Sequence, residues 1–261
     1  MGVTGNPETC SCILREAWPG RGSWPKGQTL TYGKGEFFSV TTVLAVRRGH
    51  FGCLKYAVEN GCRLDNAIYR EDVRTPQQFQ CIEYVLQLGL PIDVDGLAAA
   101  CRDSNSAYLK ILIEAQQRGH MFSEGGEIIS HSPFGERCIQ NVVNNAHHYD
   151  AQQAQLCIEM LRQAGCPWDA LHTKFAAENG NFVLLKYLVE KGCPWHKETV
   201  ASAEESGHKE MIEYATRHAH KLKQRANIAR LFEALEANKQ QMTEQEYIEA
   251  ANAAKELHDS I

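Results

Sequence analysis

The chain has 261 residues, 43% hydrophobic and 23% charged, an ordinary balance for a folded protein that excludes global disorder. Lys and Arg number 27 against 32 Asp and Glu, a formal net charge of -5, whereas a general electrostatic binder of nucleic acid carries a basic excess. No apolar stretch approaches the roughly 20 residues that cross a bilayer, and the start, MGVTGNPETCSC, lacks the basic-then-apolar order of a secretory signal.

Residues 1–38 hold Gly, Pro and Ser with little periodicity and read as a loosely ordered arm, with Trp18 and Trp24 as its large apolar points. Cys10-Ser11-Cys12 has one intervening residue, which is not the spacing of a thioredoxin-like redox pair. The ten cysteines are spread along the chain rather than crowded into a short secreted scaffold. They are expected to be free thiols in a reducing intracellular compartment, mostly buried as small apolar residues.

From residue 39 to 220 the chain repeats itself. GCPWDALHTKFAAE starts at Gly165 and its near copy GCPWHKETVASAEE at Gly192, 27 residues later. Gly180 and Gly192 are 12 apart, as are Gly49 and Gly61. Self-similarity at a period of this size marks stacked supersecondary units. Each unit reads as two helices. The first, as in HTKFAAEN, ends at Gly180, where a left-handed cap favours glycine. The second, FVLLKYLVEK, carries Leu184, Leu185, Leu188 and Val189 at helical spacing, and Pro194 lies beyond its end. Equivalent stripes are Leu54, Ala57 and Val58; Ile82, Val85 and Leu86; and Ile158, Leu161 and the stem of Arg162.

The unit from about 66 to 92 is degenerate, with Asp72 and Val73 where paired small residues are expected and Pro76 near the helix-ending position. Gly119 to Gly165 is 46 residues, and the excess over one period is placed in a turn-rich inserted loop near 120–138. Residues 221–261 read as a C-terminal helical cap, with Thr243 and Glu246 forming a capping box.

The run A-A-x-x-G-H/N-x-x-x-L-K-x-L-x-x-x-G, supplied by Ala176, Ala177, Gly180, Asn181, Leu185, Leu188 and Gly192, resembles an ankyrin repeat. An ankyrin unit has 33 residues, and the six missing here fall where ankyrins make a β-hairpin finger. The short loop Gly-Cys-Pro-Trp is similar to that of the shortened ankyrin variant of giant DNA viruses, algae and oomycetes. The resemblance implies an all-α, right-handed helical-hairpin solenoid of about six pairs that lacks most β-hairpin fingers. It also implies a non-catalytic adaptor or scaffold that binds a protein partner on its concave face and loops. A viral source would place it in the host-cell cytoplasm.

By position, the partner-binding candidates are His172, Lys174, Lys197 and Glu198 on first-helix surfaces, and Phe122, His131 and Phe134 in the inserted loop. The chain shows no P-loop, dinucleotide fingerprint, nucleophile elbow or zincin motif. Cys193 and His196 have the chemistry of zinc ligands, but the matching positions of the previous loop are Cys166 and Asp169, and a structural site needs four ligands. No catalytic residue, cofactor, metal, membrane or nucleic-acid partner is therefore assigned. The competing readings are a structural subunit of a larger assembly, and a divergent metal-binding protein or enzyme using the insertion.

Overall fold

The computed structural model describes residues 36–59, 61–129, 133–148 and 150–259; Trp18, Trp24, Cys10, Cys12 and His131 lie outside the described residues. Among the described residues the chain is mostly helical, with twelve α-helices and three short strands. It divides into two units, one up to Trp168 and one from Asp169 onward.

In the first unit four layers follow one another. They are α1 (Glu36–Arg47) with α2 (Phe51–Glu59), a 3-10 turn (Asn66–Arg70) with α3 (Pro76–Gln87), α4 (Val94–Arg102) with α5 (Ser106–Gln117), and α6 (Glu136–Asn145) with α7 (Ala151–Gln163). First members pack in succession, α1 on the 3-10 turn, that turn on α4, and α4 on α6. Second members do the same, α2 on α3, α3 on α5, and α5 on α7. Isolated helices this short are marginal in water. What holds them is burial of one stripe each, such as Ile82, Val85 and Leu86 on α3 or Ile158 and Leu161 on α7. Each such side chain contributes about 1.5–3 kcal/mol. The glycines after these helices have positive φ, as at Gly89, whose N–H donates to the Leu86 carbonyl at 2.8 Å.

The degenerate second layer has a physical account. Its first member is only a 3-10 turn, started by Asp65, whose carboxylate accepts from the Ala67 N–H at 2.8 Å. Pro76 does not end that turn but begins α3, behind a capping box of Thr75 and Gln78. Gly96 on α4 lies so close that a Cβ there would sit 2.5 Å from the Tyr69 Cβ and 2.6 Å from its carbonyl oxygen. A full helix in place of the turn would bring more backbone into that contact.

The inserted segment is not a loop throughout. β2 (Phe122–Glu124) pairs antiparallel with β3 (Glu127–Ile129) around Gly125-Gly126, both at positive φ, as tight hairpin turns require. β2 also pairs parallel with β1 (Ile92–Asp93), Ile92 opposite Phe122. Phe122 and Phe134 correct the expectation of exposed binding side chains. Both are 3% exposed, and their rings meet edge to face at 5.9 Å, closing the insertion onto its own apolar interior.

The second unit holds α8 (Leu171–Glu178), α9 (Phe182–Glu190), α10 (Thr199–Ser206), α11 (Lys209–Asn238) and α12 (Glu244–Asp259). α8 packs on α9 and on α10, α10 on α11, and α11 on α12. Leu184, Leu185 and Leu188 are fully buried. The buried hydroxyls of Thr173 and Thr199 meet at 3.2 Å between α8 and α10. A Cβ on Gly180 would lie 2.6 Å from Nε2 of His208, so the imidazole occupies the space that glycine leaves. α11 runs through position 221 without a break, and Thr243 and Glu246 cap α12, the Thr243 N–H donating to the carboxylate at 2.9 Å.

Candidate functional site

The exposed first-helix side of the second unit is a small charged cluster. Lys174 projects from α8 and its Nζ lies 3.0 Å from a Glu198 carboxylate oxygen and 3.4 Å from one of Glu178. The hydrogen bond to Glu198 raises the Lys174 pKa, and the same bond lowers that of Glu198. Lys197 is exposed beside them. Lys174 thus joins α8 to the turn before α10, so Lys174, Lys197 and Glu198 share one surface. His172 does not, and this corrects its place among the candidates. It is 1% exposed, and its Nδ1 accepts from the Asp169 N–H at 3.2 Å. On a helix of eight residues packed against both α9 and α10, that position points inward.

The Cys-Pro-Trp turns have a structural use for the residue after Trp. Asp169 accepts from the Leu171 N–H at 2.8 Å, as Asp65 does at the second layer. His196 does the equivalent with Nδ1, accepting from the Glu198 N–H at 3.2 Å. Both residue types offer a short acceptor to an uncapped helix start. Cys193 is buried and its thiol donates to the Asp169 carbonyl at 3.3 Å. Among the described residues no group of three or more His, Cys, Asp or Glu is placed to hold a metal ion.

A shallow pocket of roughly 370 Å³ in the first unit is lined by Asp65, Asn66, Arg70 and Asp93. Its charges answer one another, since Arg70 lies 2.5 Å from Asp93 and 3.0 Å from Asp95. Cys101 at the end of α4, Cys138 in the first turn of α6 and Cys166 after α7 are buried and free, and the Cys138 thiol donates to the Pro133 carbonyl at 3.5 Å. Interaction with the Cys101 and Cys166 thiols lowers the Cys138 pKa, and the same interaction raises those of Cys101 and Cys166. The three stand 37 and 28 residues apart in the chain, so the sequence offers little signal that they interact.

Four apolar side chains on α11 and α12 are exposed, Leu231, Phe232, Ile248 and Leu257. The basic residues Lys221, Lys223, Arg225 and Arg230 are exposed on α11 as well. Among the described residues no helix is long and apolar enough to cross a membrane. No family model matches the chain, and neither a curated protein nor a solved structure matches it.

Proposed function

We propose that the chain is an ankyrin-like solenoid and a non-catalytic protein-interaction module, an adaptor or scaffold that engages a protein partner through first-helix surfaces. The observation that carries this reading is the side-by-side packing of first helices, α4 on α6 in one unit and α8 on α10 in the other. Such a surface is held rigid by buried stripes, so little ordering entropy opposes docking. Lys174, Lys197 and Glu198 give the second unit's surface its charge pattern, and they are the contact residues we assign. The test is affinity capture with the full chain, followed by mass spectrometry and a direct binding titration of the captured protein. The double variant Lys174→Glu, Lys197→Glu is expected to weaken binding at least about tenfold, about 1.4 kcal/mol, while Lys255→Glu on α12 leaves it unchanged. Equal binding by both variants removes the surface assignment.

A second reading, a structural subunit of a larger assembly, is favoured by the exposed Leu231, Phe232, Ile248 and Leu257. Large apolar side chains left exposed on a helical pair are what a permanent neighbour would cover. Replacing Leu231 and Phe232 by Ser separates the two readings. It abolishes a stoichiometric complex in the second and leaves the adaptor's titration unchanged in the first.

A further inference from the structure

The helix α11 is longer than its packing requires. It has 30 residues, so it runs for about 45 Å, yet past Ala215 its one buried residue is Ile228. A helix in a folded protein ordinarily buries a stripe along its whole length. The unburied stretch is charged in two blocks. Residues 217–230 hold Arg217, Lys221, Lys223, Arg225 and Arg230 with no Asp or Glu; residues 231–249 hold Glu233, Glu236, Glu244, Glu246 and Glu249 with Lys239 as the one Lys or Arg.

At about 100° per residue, Lys221, Arg225, Ala229, Phe232 and Glu236 fall on one face of α11, and all five are exposed. That face is basic at its N-terminal end and acidic at its C-terminal end, with an aromatic ring beside a small residue between them. Glu236 is positioned by the Tyr247 phenol, which donates to its carboxylate, and by Lys239 at 3.7 Å, and its side chain is still 60% exposed. Such an order of charge is self-complementary when the helix meets its own copy antiparallel.

We propose that α11 is a self-association face on which two copies of the chain pair antiparallel. Phe232 of each copy seats on Ala229 of the other, and Arg225 of each lies opposite Glu236 of the other. Every contact then occurs twice, as a two-fold axis requires. A parallel pairing would instead set Arg225 beside Arg225 and Glu236 beside Glu236, which repulsion opposes. A face about 24 Å long is at the low end of specific interfaces, below about 1,200 Å², so the dimer is reversible, with a dissociation constant on the order of 1–10 μM. The inference names the neighbour that the assembly reading leaves open, and rests on that reading rather than on the first-helix surface.

The test is sedimentation equilibrium of the full chain from about 1 to 100 μM, a range that brackets this affinity. The mass is expected to rise from the 29.3 kDa of one chain toward twice that value. Phe232→Ser, Arg225→Glu and Glu236→Arg are each expected to weaken the dimer at least about tenfold. Leu156→Ser, which removes a comparably exposed side chain from α7, leaves it unchanged. An equimolar mixture of Arg225→Glu and Glu236→Arg is expected to restore a dimer holding one copy of each, because both opposite-charge pairs re-form in it. Loss of folding in either variant would not be rescued in this way. A monomer at every concentration, a mixture that stays monomeric, unchanged dimerisation of Arg225→Glu, or equal loss in Leu156→Ser overturns the proposal. The assembly reading fails separately, when affinity capture with the full chain returns no stoichiometric protein.

Discussion

The phenol of Tyr108 on α5 donates to the backbone carbonyl of Tyr69 at 2.8 Å, and the Tyr69 phenol donates in turn to the Leu90 carbonyl at 2.8 Å. Both rings are almost fully buried. Tyr108 therefore satisfies the backbone of the shortened second layer from the layer after it, and Tyr69 satisfies the turn that closes its own layer. Tyr108→Phe keeps the ring and leaves a buried carbonyl without that donor, a loss of about 1–3 kcal/mol. Urea unfolding of the variant is the measurement, and an unchanged midpoint would show that the Tyr69 carbonyl is satisfied without it.

Ser104 stands where other layers place a turn glycine. Its φ is 45°, in the left-handed region, and its hydroxyl is buried with no hydrogen-bond partner among the described residues. Ser104→Gly relieves both costs against a small loss of backbone entropy. A gain of about 1 kcal/mol is expected, read as a higher thermal midpoint.

Gly96 gives the opposite sign for its own substitution. The Cβ, carbonyl oxygen and carbonyl carbon of Tyr69 leave no room for a Cβ, and none of these atoms is the end of a flexible side chain. Gly96→Ala is expected to cost about 1–3 kcal/mol through forced separation of α4 from the 3-10 turn. Helix propensity alone would predict a gain of about 1 kcal/mol. The sign of the measured change therefore decides whether packing or propensity governs that position.

The second helices were legible because each carries its own stripe and its own closing glycine; Leu184, Leu185 and Leu188 needed no knowledge of the rest of the chain. The 3-10 turn was less so. The close approach against it depends on Gly96, thirty residues from Asn66 and meaningful only once α4 lies against the turn. The strands around Gly125-Gly126 are three residues each, too short for alternation to show, and their partner Ile92 is in an earlier layer. Phe122, Phe134 and His172 were assigned to a surface by their position in the repeat, but which face a residue takes on so short an element is set by its neighbours.

Alkaline pH should destabilise the fold through its buried thiols. Cys81 and Cys157 have raised folded values, about 11 and about 12, against an ordinary value of 9.0. A raised value means that the stabilising contribution is full below pH 9 and is lost as pH rises toward 11 and 12, where the unfolded chain ionises first. Each thiol removes about 1.4 kcal/mol per pH unit across its window. Urea midpoints measured from pH 8 to 11 should fall, and Cys157→Ala should flatten the slope whatever it does to the absolute stability. An unchanged slope in that variant would show that the Cys157 thiol does not titrate in the folded protein as its burial implies.

The paired strands of the insertion fix its base and leave its tip open. Phe122 and Ile129 are held opposite each other, and an added Cβ at Gly125 or Gly126 meets nothing within 4 Å. Extra sequence spliced between those two glycines would leave the strand ends in register. That point is accordingly the place to graft an epitope, a reporter or a randomised peptide, or to nick the chain while both halves stay bound.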